Sequence, residues 1–104
     1  MFSVVKSRKF DEWLRQLKDQ RAVARIQVRI DRLAGGNPGD SRPVGGGISE
    51  LRIDYGPGYR VYFLQDGRRQ IILLLCGGAK SSQPEDIARA KQIAADWRRN
   101  DQHT

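Results

Sequence analysis

Cysteine and histidine are each present once in the 104 residues, as Cys76 and His103. A single thiol excludes an intramolecular disulfide framework, and neither residue has neighbours at metal-ligand spacing. Cys76 falls within an apolar run and reads as a buried, inert thiol, while His103 lies in the C-terminal tail, a poor place for a catalytic imidazole. No apolar run approaches the roughly 18 residues that a membrane-spanning helix needs. The opening Met1-Phe2-Ser3-Val4-Val5-Lys6 also lacks the apolar core of a signal peptide. The expectation is a cytoplasmic protein with no metal, no cofactor and no membrane attachment. A chain of this length should form one domain over residues 1–104, with a single core, no enclosed cofactor cavity and therefore an open site.

Acidic residues are in short supply as well. Nineteen Lys and Arg stand against twelve Asp and Glu, a formal net charge of +7. Such an excess points to nucleic acid or an acidic protein as the partner, although charge also serves solubility.

Phe10, Trp13, Leu14 and Leu17 have helical spacing and predict a short first helix. A second stripe, Val23, Ile26, Ile30 and Leu33, follows the N-cap candidate Asp19 and stops at Gly35-Gly36, so the two helices should form a hairpin. Residues 37–47, rich in glycine and holding Pro38 and Pro43, predict a surface loop with room for one edge strand. The period then changes to two. Leu51 and Ile53 share one strand face, and Glu50, Arg52 and Asp54 the other. In the strand from Tyr59 to Gln65, Val61 and Phe63 oppose Arg60, Tyr62 and Leu64.

Asp66-Gly67 predicts a two-residue type I′ hairpin, setting Gln65 opposite Arg68, Tyr62 opposite Ile71 and Arg60 opposite Leu73. Ile71 to Cys76 is apolar throughout, as in a central strand covered on both faces. Ser82-Gln83-Pro84-Glu85 predicts a capping box opening a last helix with Ile87, Ala90, Ala94 and Trp97 on its stripe, and residues 98–104 should fray. With a candidate strand over residues 2–6, the fold class is α+β. It should be a small antiparallel sheet with an N-terminal helical hairpin and a C-terminal helix, packed mainly on one face.

Alternation places Arg52 and Arg60 together on one sheet face if their strands are neighbours. Lys80 follows the apolar strand in Gly77-Gly78-Ala79-Lys80-Ser81-Ser82, where glycines let backbone approach a ligand and the next helix offers free N–H groups. Fixed cations of this kind stabilise the charge that builds when a ribose 2′-hydroxyl attacks its own 3′-phosphate, with no metal required. Glu50 and Tyr62 are the candidate base and acid on the same face, Glu50 equally reading as the carboxylate that orients Arg52 and Tyr62 as a residue of the core edge. Arg21, Arg25, Arg29 and Arg32 form a basic stripe on the second helix, either a solvated face or an RNA-binding track on ribosomal phosphates. Trp13 and Trp97 lie on apolar stripes and read as core.

The run Ile48-Ser-Glu-Leu-Arg-Ile-Asp-Tyr-Gly-Pro-Gly-Tyr-Arg-Val-Tyr-Phe63, followed by Ile72-Leu-Leu-Leu-Cys-Gly-Gly-Ala-Lys-Ser-Ser-Gln-Pro-Glu-Asp-Ile-Ala-Arg-Ala90, resembles the HigB-like "addiction module killer" branch of the RelE/ParE toxins. With the leading helical hairpin, the resemblance spans almost the whole chain. It implies a RelE-like, microbial RNase-like sheet and the toxin role of a type II toxin–antitoxin pair. The implied activity is ribosome-dependent cleavage of mRNA, with Arg52, Arg60 and Lys80 at the family's phosphate-binding positions. The implied partners are the ribosome, mRNA and a cognate antitoxin with a helix-turn-helix domain, through which alone operator DNA would be bound. Some family members carry a tyrosine or a histidine–aspartate pair near the C-terminus as acid or base. Here Ile87 and Ala88 stand about where that tyrosine would be. The competing readings are a ParE-like inhibitor of DNA gyrase and a non-catalytic nucleic-acid-binding module.

Overall fold

The structure, a computed structural model, describes residues 1–101; His103 and the end of the tail lie outside them. The elements are β1 (Ser3–Lys6), α1 (Arg8–Gln16), α2 (Gln20–Ala34), β2 (Ser41–Gly45), β3 (Ile48–Ile53), β4 (Tyr59–Asp66), β5 (Ile71–Ala79) and α3 (Gln83–Asp101), with a short 3₁₀ turn, Lys80–Ser82, before α3. The caps follow from local chemistry. Ser7 Oγ accepts the Phe10 N–H at 3.0 Å to start α1, and Asp19 Oδ1 accepts the Arg21 and Ala22 N–H groups at 3.0 and 3.3 Å to start α2. The α2 helix stops at Gly35, with Gly36 turned to a φ of 99° that other residues avoid.

The strands form one sheet in the order β1-β5-β4-β3-β2. The α+β class is as expected, but the sheet is mixed, because β1 runs parallel to β5 while the other neighbours are antiparallel. Alternation in a short strand carries no information about direction, which is set here by where the chain enters the helical layer.

Helices cover both faces, a correction to the one-faced arrangement. On one side Phe10 of α1 and Ile26, Ile30 and Leu33 of α2 pack on Leu51, Ile53, Val61, Phe63, Ile72 and Leu74. On the other, Ala90, Ala94 and Trp97 of α3 pack on Ile48, Tyr62, Leu64, Leu73 and Leu75. The physical reason lies in β5, whose successive leucines point to opposite faces. Leaving either row wet would forfeit about 1.5–3 kcal/mol per large side chain.

The β4–β5 connection also differs from the expected two-residue hairpin. Gly67 to Gln70 form a four-residue turn, in which Asp66 Oδ1 accepts the Arg68 and Arg69 N–H groups at 3.0 and 3.2 Å. The closing pair is therefore Asp66 with Ile71, and the register puts Gln65 opposite Ile72, Tyr62 opposite Cys76 and Arg60 opposite Gly78. Because β5 is apolar on both faces, its pattern does not select one register; the Asp66 turn sets it as far as Phe63 opposite Leu74, and a bulge between Tyr62 and Phe63 shifts it by one residue beyond.

Three further expectations change. The β5 strand runs on through Gly77 and Gly78 to Ala79. Ser82 makes no capping box with Glu85, its hydroxyl instead donating to Asp86 Oδ2 at 2.5 Å. The α3 helix continues to Asp101 rather than fraying from residue 98, with Arg98 Nη2 donating to the Gly46 carbonyl at 3.0 Å. Among the described residues no helix is long and apolar enough to cross a membrane.

Candidate active site

The four-residue turn and the bulge between Tyr62 and Phe63 bring Arg60 to the far end of β5, where Lys80 begins the 3₁₀ turn. Arg60 lies between Arg52 on β3 and Gly78 on β5. The Arg52 N–H donates to the Asp40 carbonyl at 2.9 Å, carrying the ladder one residue beyond β2. An open cleft of about 240 Å³ results, lined by Asp40, Arg52, Ile53, Asp54, Gly58, Arg60 and Lys80. The structure thus brings together the three cations singled out from the sequence. Lys80 is exposed at the lip, with its backbone N–H held by the Gly58 carbonyl at 2.8 Å. That amide is occupied and does not await a phosphate.

The expected phosphate-holding glycine loop is also corrected. Gly77 and Gly78 are buried strand residues, and a Cβ on Gly77 would run into the Trp13 ring while one on Gly78 would run into the Asp86 carboxylate. These glycines admit α1 and α3 to the sheet.

Two guanidinium groups on neighbouring strands repel unless one is neutralised. Glu50, with no exposed surface, approaches Arg60, which is 6% exposed, at 3.1 Å from Nε to Oε1. The approach is an ion pair without hydrogen-bond alignment, since Arg60 Nε has no hydrogen-bonding partner. Gln83, the first residue of α3, donates from Nε2 to the same Oε1 at 2.8 Å. Glu50 therefore orients Arg60, not Arg52, and it ties β3 to α3. Tyr62 pairs with Glu50 across β3 and β4. Its hydroxyl is buried without a partner. Burial first, then the negative charges of Glu50 and Asp86, hold it far above the ordinary tyrosine range. Neither Glu50 nor Tyr62 has surface through which to touch a substrate, so the structure removes both as direct acid or base. Cys76 is buried as expected, its thiol pushed up to about 12 by burial and the nearby Asp86 charge.

The α2 stripe is not uniform. Arg21, Arg25, Arg29 and Arg32, with Ala24, Val28, Ile53 and Asp54, line a shallow groove of about 570 Å³. Arg25 stacks over the Tyr55 ring at 4.7 Å, and the Tyr55 hydroxyl donates to Asp19 Oδ2 at 3.0 Å. Arg29 donates to the carbonyls of Arg52, Pro38 and Asp40 at 2.5, 3.2 and 3.1 Å. It is a clamp on the cleft's backbone, whereas Arg21 and Arg32 are exposed at the two ends of the stripe. Arg29→Ala should lower the unfolding free energy by about 2 kcal/mol, since hydrogen bonds from a charged donor are lost. Arg32→Ala should stay within about 0.5 kcal/mol of wild type. Urea unfolding of the two variants side by side measures the contrast, and equal stabilities would show that the clamp carries no load.

Sequence reasoning missed Asp40, Gln83 and Asp86. Asp40 sat in a stretch read as loop, and only its ladder bond to Arg52 puts it beside the cations. Gln83 entered only as part of the Ser82–Glu85 helix start and Asp86 was not singled out, with nothing in their spacing to show that they reach into the sheet.

Residues 12–97 match the family described as "Phage derived protein Gp49-like (DUF891)". An uncharacterized protein of Haemophilus influenzae is 54% identical over 85 residues, covering 82% of this chain and 85% of that protein. Among solved structures, a chain of the toxin–antitoxin complex RelBE2 from Mycobacterium tuberculosis superimposes with a TM-score of 0.62 at 17% identity, over 76% of this chain and 98% of that one. A conserved hypothetical protein from Helicobacter pylori, solved in solution, gives a TM-score of 0.55 at 16% identity, over 80% and 99% of the two chains. At these identities the structural likeness establishes a shared RelE-like α+β fold. With the family match over residues 12–97, which include β3, β4 and the 3₁₀ turn that line the cleft, this protein belongs to the phage-derived Gp49-like family.

Proposed function

We propose that this protein is the toxin of a type II toxin–antitoxin pair, close to the HigB-like branch of the RelE/ParE group, and that it cuts mRNA on the ribosome as a metal-independent endoribonuclease. The observation that carries the reading is the convergence of Arg52, Arg60 and Lys80 on one open cleft. The fold shared with a chain of a toxin–antitoxin complex supports it. Such a cleft suits one chemistry well. A phosphodiester seated between the two guanidinium groups has its non-bridging oxygens stabilised as charge builds during attack by the neighbouring 2′-hydroxyl. In this reading Lys80, at the lip, gives a proton to the leaving 5′-oxygen. The exposed Arg21 and Arg32 on α2 extend the positive surface for ribosomal RNA, and a cognate antitoxin neutralises the toxin by covering this basic surface.

Arg52→Ala and Lys80→Ala are the variants of choice, because neither side chain is a buried ion-pair partner. Each should reduce cleavage by about 10²-fold to 10³-fold while leaving the melting temperature nearly unchanged. The check is induction in a bacterial host with methionine and thymidine incorporation followed separately and mRNA ends mapped by primer extension. New mRNA ends with early loss of methionine incorporation, absent in both variants, is the expected result. Early loss of thymidine incorporation with intact mRNA would overturn it in favour of gyrase inhibition.

A further inference from the structure

We infer that Asp40 is the general base of this cleavage, the group that takes the proton from the attacking ribose 2′-hydroxyl; the inference rests on the endoribonuclease reading above. The ionisable side chains lining the cleft are Asp40, Arg52, Asp54, Arg60 and Lys80. Only a carboxylate among them can accept a proton at neutral pH. Glu50 is sealed in the sheet, its Oε1 shared by Arg60 and Gln83, and Tyr62 has no exposed surface. The choice lies between the two aspartates.

Asp40 is held where a base is needed. Its carbonyl accepts both the Arg52 N–H at 2.9 Å and Arg29 Nη2 at 3.1 Å, so its backbone is pinned directly across from one phosphate-binding arginine. Arg29 also grips the carbonyls of Arg52 and Pro38, and thus ties both sides of the cleft floor to α2. Gly39 makes the tight bend that this requires, at a φ of 60° and with the Arg29 guanidinium only 3.1 Å from where a Cβ would stand. Among the described residues no ion pair engages the Asp40 carboxylate. Asp54, by contrast, follows the last residue of β3 and is shared with the α2 groove. A pinned backbone beside the electrophile's anchor satisfies the geometric demand on a base better than a shared turn residue.

In the step, the Asp40 carboxylate takes the 2′-hydroxyl proton as the 2′-oxygen bonds to phosphorus. The bond from phosphorus to the 5′-oxygen breaks, and that oxygen takes a proton from the Lys80 ammonium. The products are a 2′,3′-cyclic phosphate and a 5′-hydroxyl, with Asp40 and Lys80 restored by proton exchange with water.

The test is single-turnover cleavage of a defined mRNA on purified ribosomes by the full chain, across a pH series, with Asp40→Asn and Asp54→Asn alongside. Binding to ribosomes carrying the same mRNA with a 2′-deoxy sugar at the scissile position is measured in parallel. Asp40→Asn should cleave about 10²-fold to 10⁴-fold more slowly, lose the fall in rate seen on acidification, and bind the deoxy complex as wild type does. Wild-type rates in Asp40→Asn, a slowed rate with an unaltered pH profile, loss of deoxy-complex binding, or transfer of the whole defect to Asp54→Asn would each overturn the assignment. A wild-type chain that cleaves nothing would instead sink the endoribonuclease reading, and the base with it.

Discussion

Arg60→Ala is expected to lower the unfolding free energy by about 3–5 kcal/mol, the range for removing one partner of a buried ion pair. Glu50 has no exposed surface and lies 3.1 Å from Arg60 Nε. Without the guanidinium, its charge stays in the sheet with Gln83 as the one remaining donor on Oε1. A small domain is stable by only about 5–15 kcal/mol, so the variant should unfold at clearly lower urea concentration. Glu50→Gln combined with Arg60→Ala should recover most of the loss, because the stranded charge is then gone. Equal stability of Arg60→Ala and wild type would mean that the pair is idle. The result bears on function, since loss of toxicity in Arg60→Ala alone would not separate a catalytic role from a folding one. Arg52 and Lys80 make that separation.

Gly77→Ala should be the other large effect, by overpacking instead of an unpaired charge. The added methyl would meet the Cε3, Cζ3 and Cδ2 atoms of Trp13 inside van der Waals contact. The ring is hemmed in by Phe10 at 5.8 Å and Tyr59 at 6.2 Å between centroids, so it has little room to retreat. Overpacking a tight core costs about 1–3 kcal/mol and occasionally more. With backbone on one side and an aromatic cluster on the other, the upper end applies, a fall in Tm of about 10–20 °C. Trp13→Leu placed in the Gly77→Ala background should restore part of it. Thermal unfolding that leaves Gly77→Ala within a degree or two of wild type would show that the indole does not lie against β5. Gly78→Ala tests the other face, where the Asp86 carboxylate occupies the space above the strand and the seating of α3, and so of Gln83 on Glu50, depends on it.

Much of this was legible in the residues. The stripes on α1, α2 and α3 have helical spacing, Asp19 and Gly35-Gly36 mark the ends of α2, and alternation along β3 and β4 assigns Glu50, Arg52, Arg60 and Tyr62 to one face. These features are local, and each follows from a few neighbouring side chains and the fixed periods of helix and strand. The excess of basic residues and the grouping of arginines on adjacent strands pointed to phosphate for the same reason.

Other features depend on residues far apart in the chain. The partner of Glu50 is Arg60 and not Arg52, because Gln83 arrives from α3 to fix that carboxylate. Arg29 looked like one more member of a solvent-facing stripe until the loop before β2 folded its carbonyls over the guanidinium. Asp40 is a loop residue by composition and a cleft residue only through its ladder bond to Arg52.

The sequence by itself determined the elements, the faces they present and the net positive charge, because periodicity and composition act over a few residues. Tertiary structure alone decided the register of β4 on β5, the placement of α3 on the second face and hence the cleft. A strand that is apolar on both sides pairs equally well one step either way. The Asp66 turn, the bulge between Tyr62 and Phe63, and the bare backbone of Gly77 and Gly78, which admits Trp13 and Asp86, chose the alignment that carries Arg60 to Lys80.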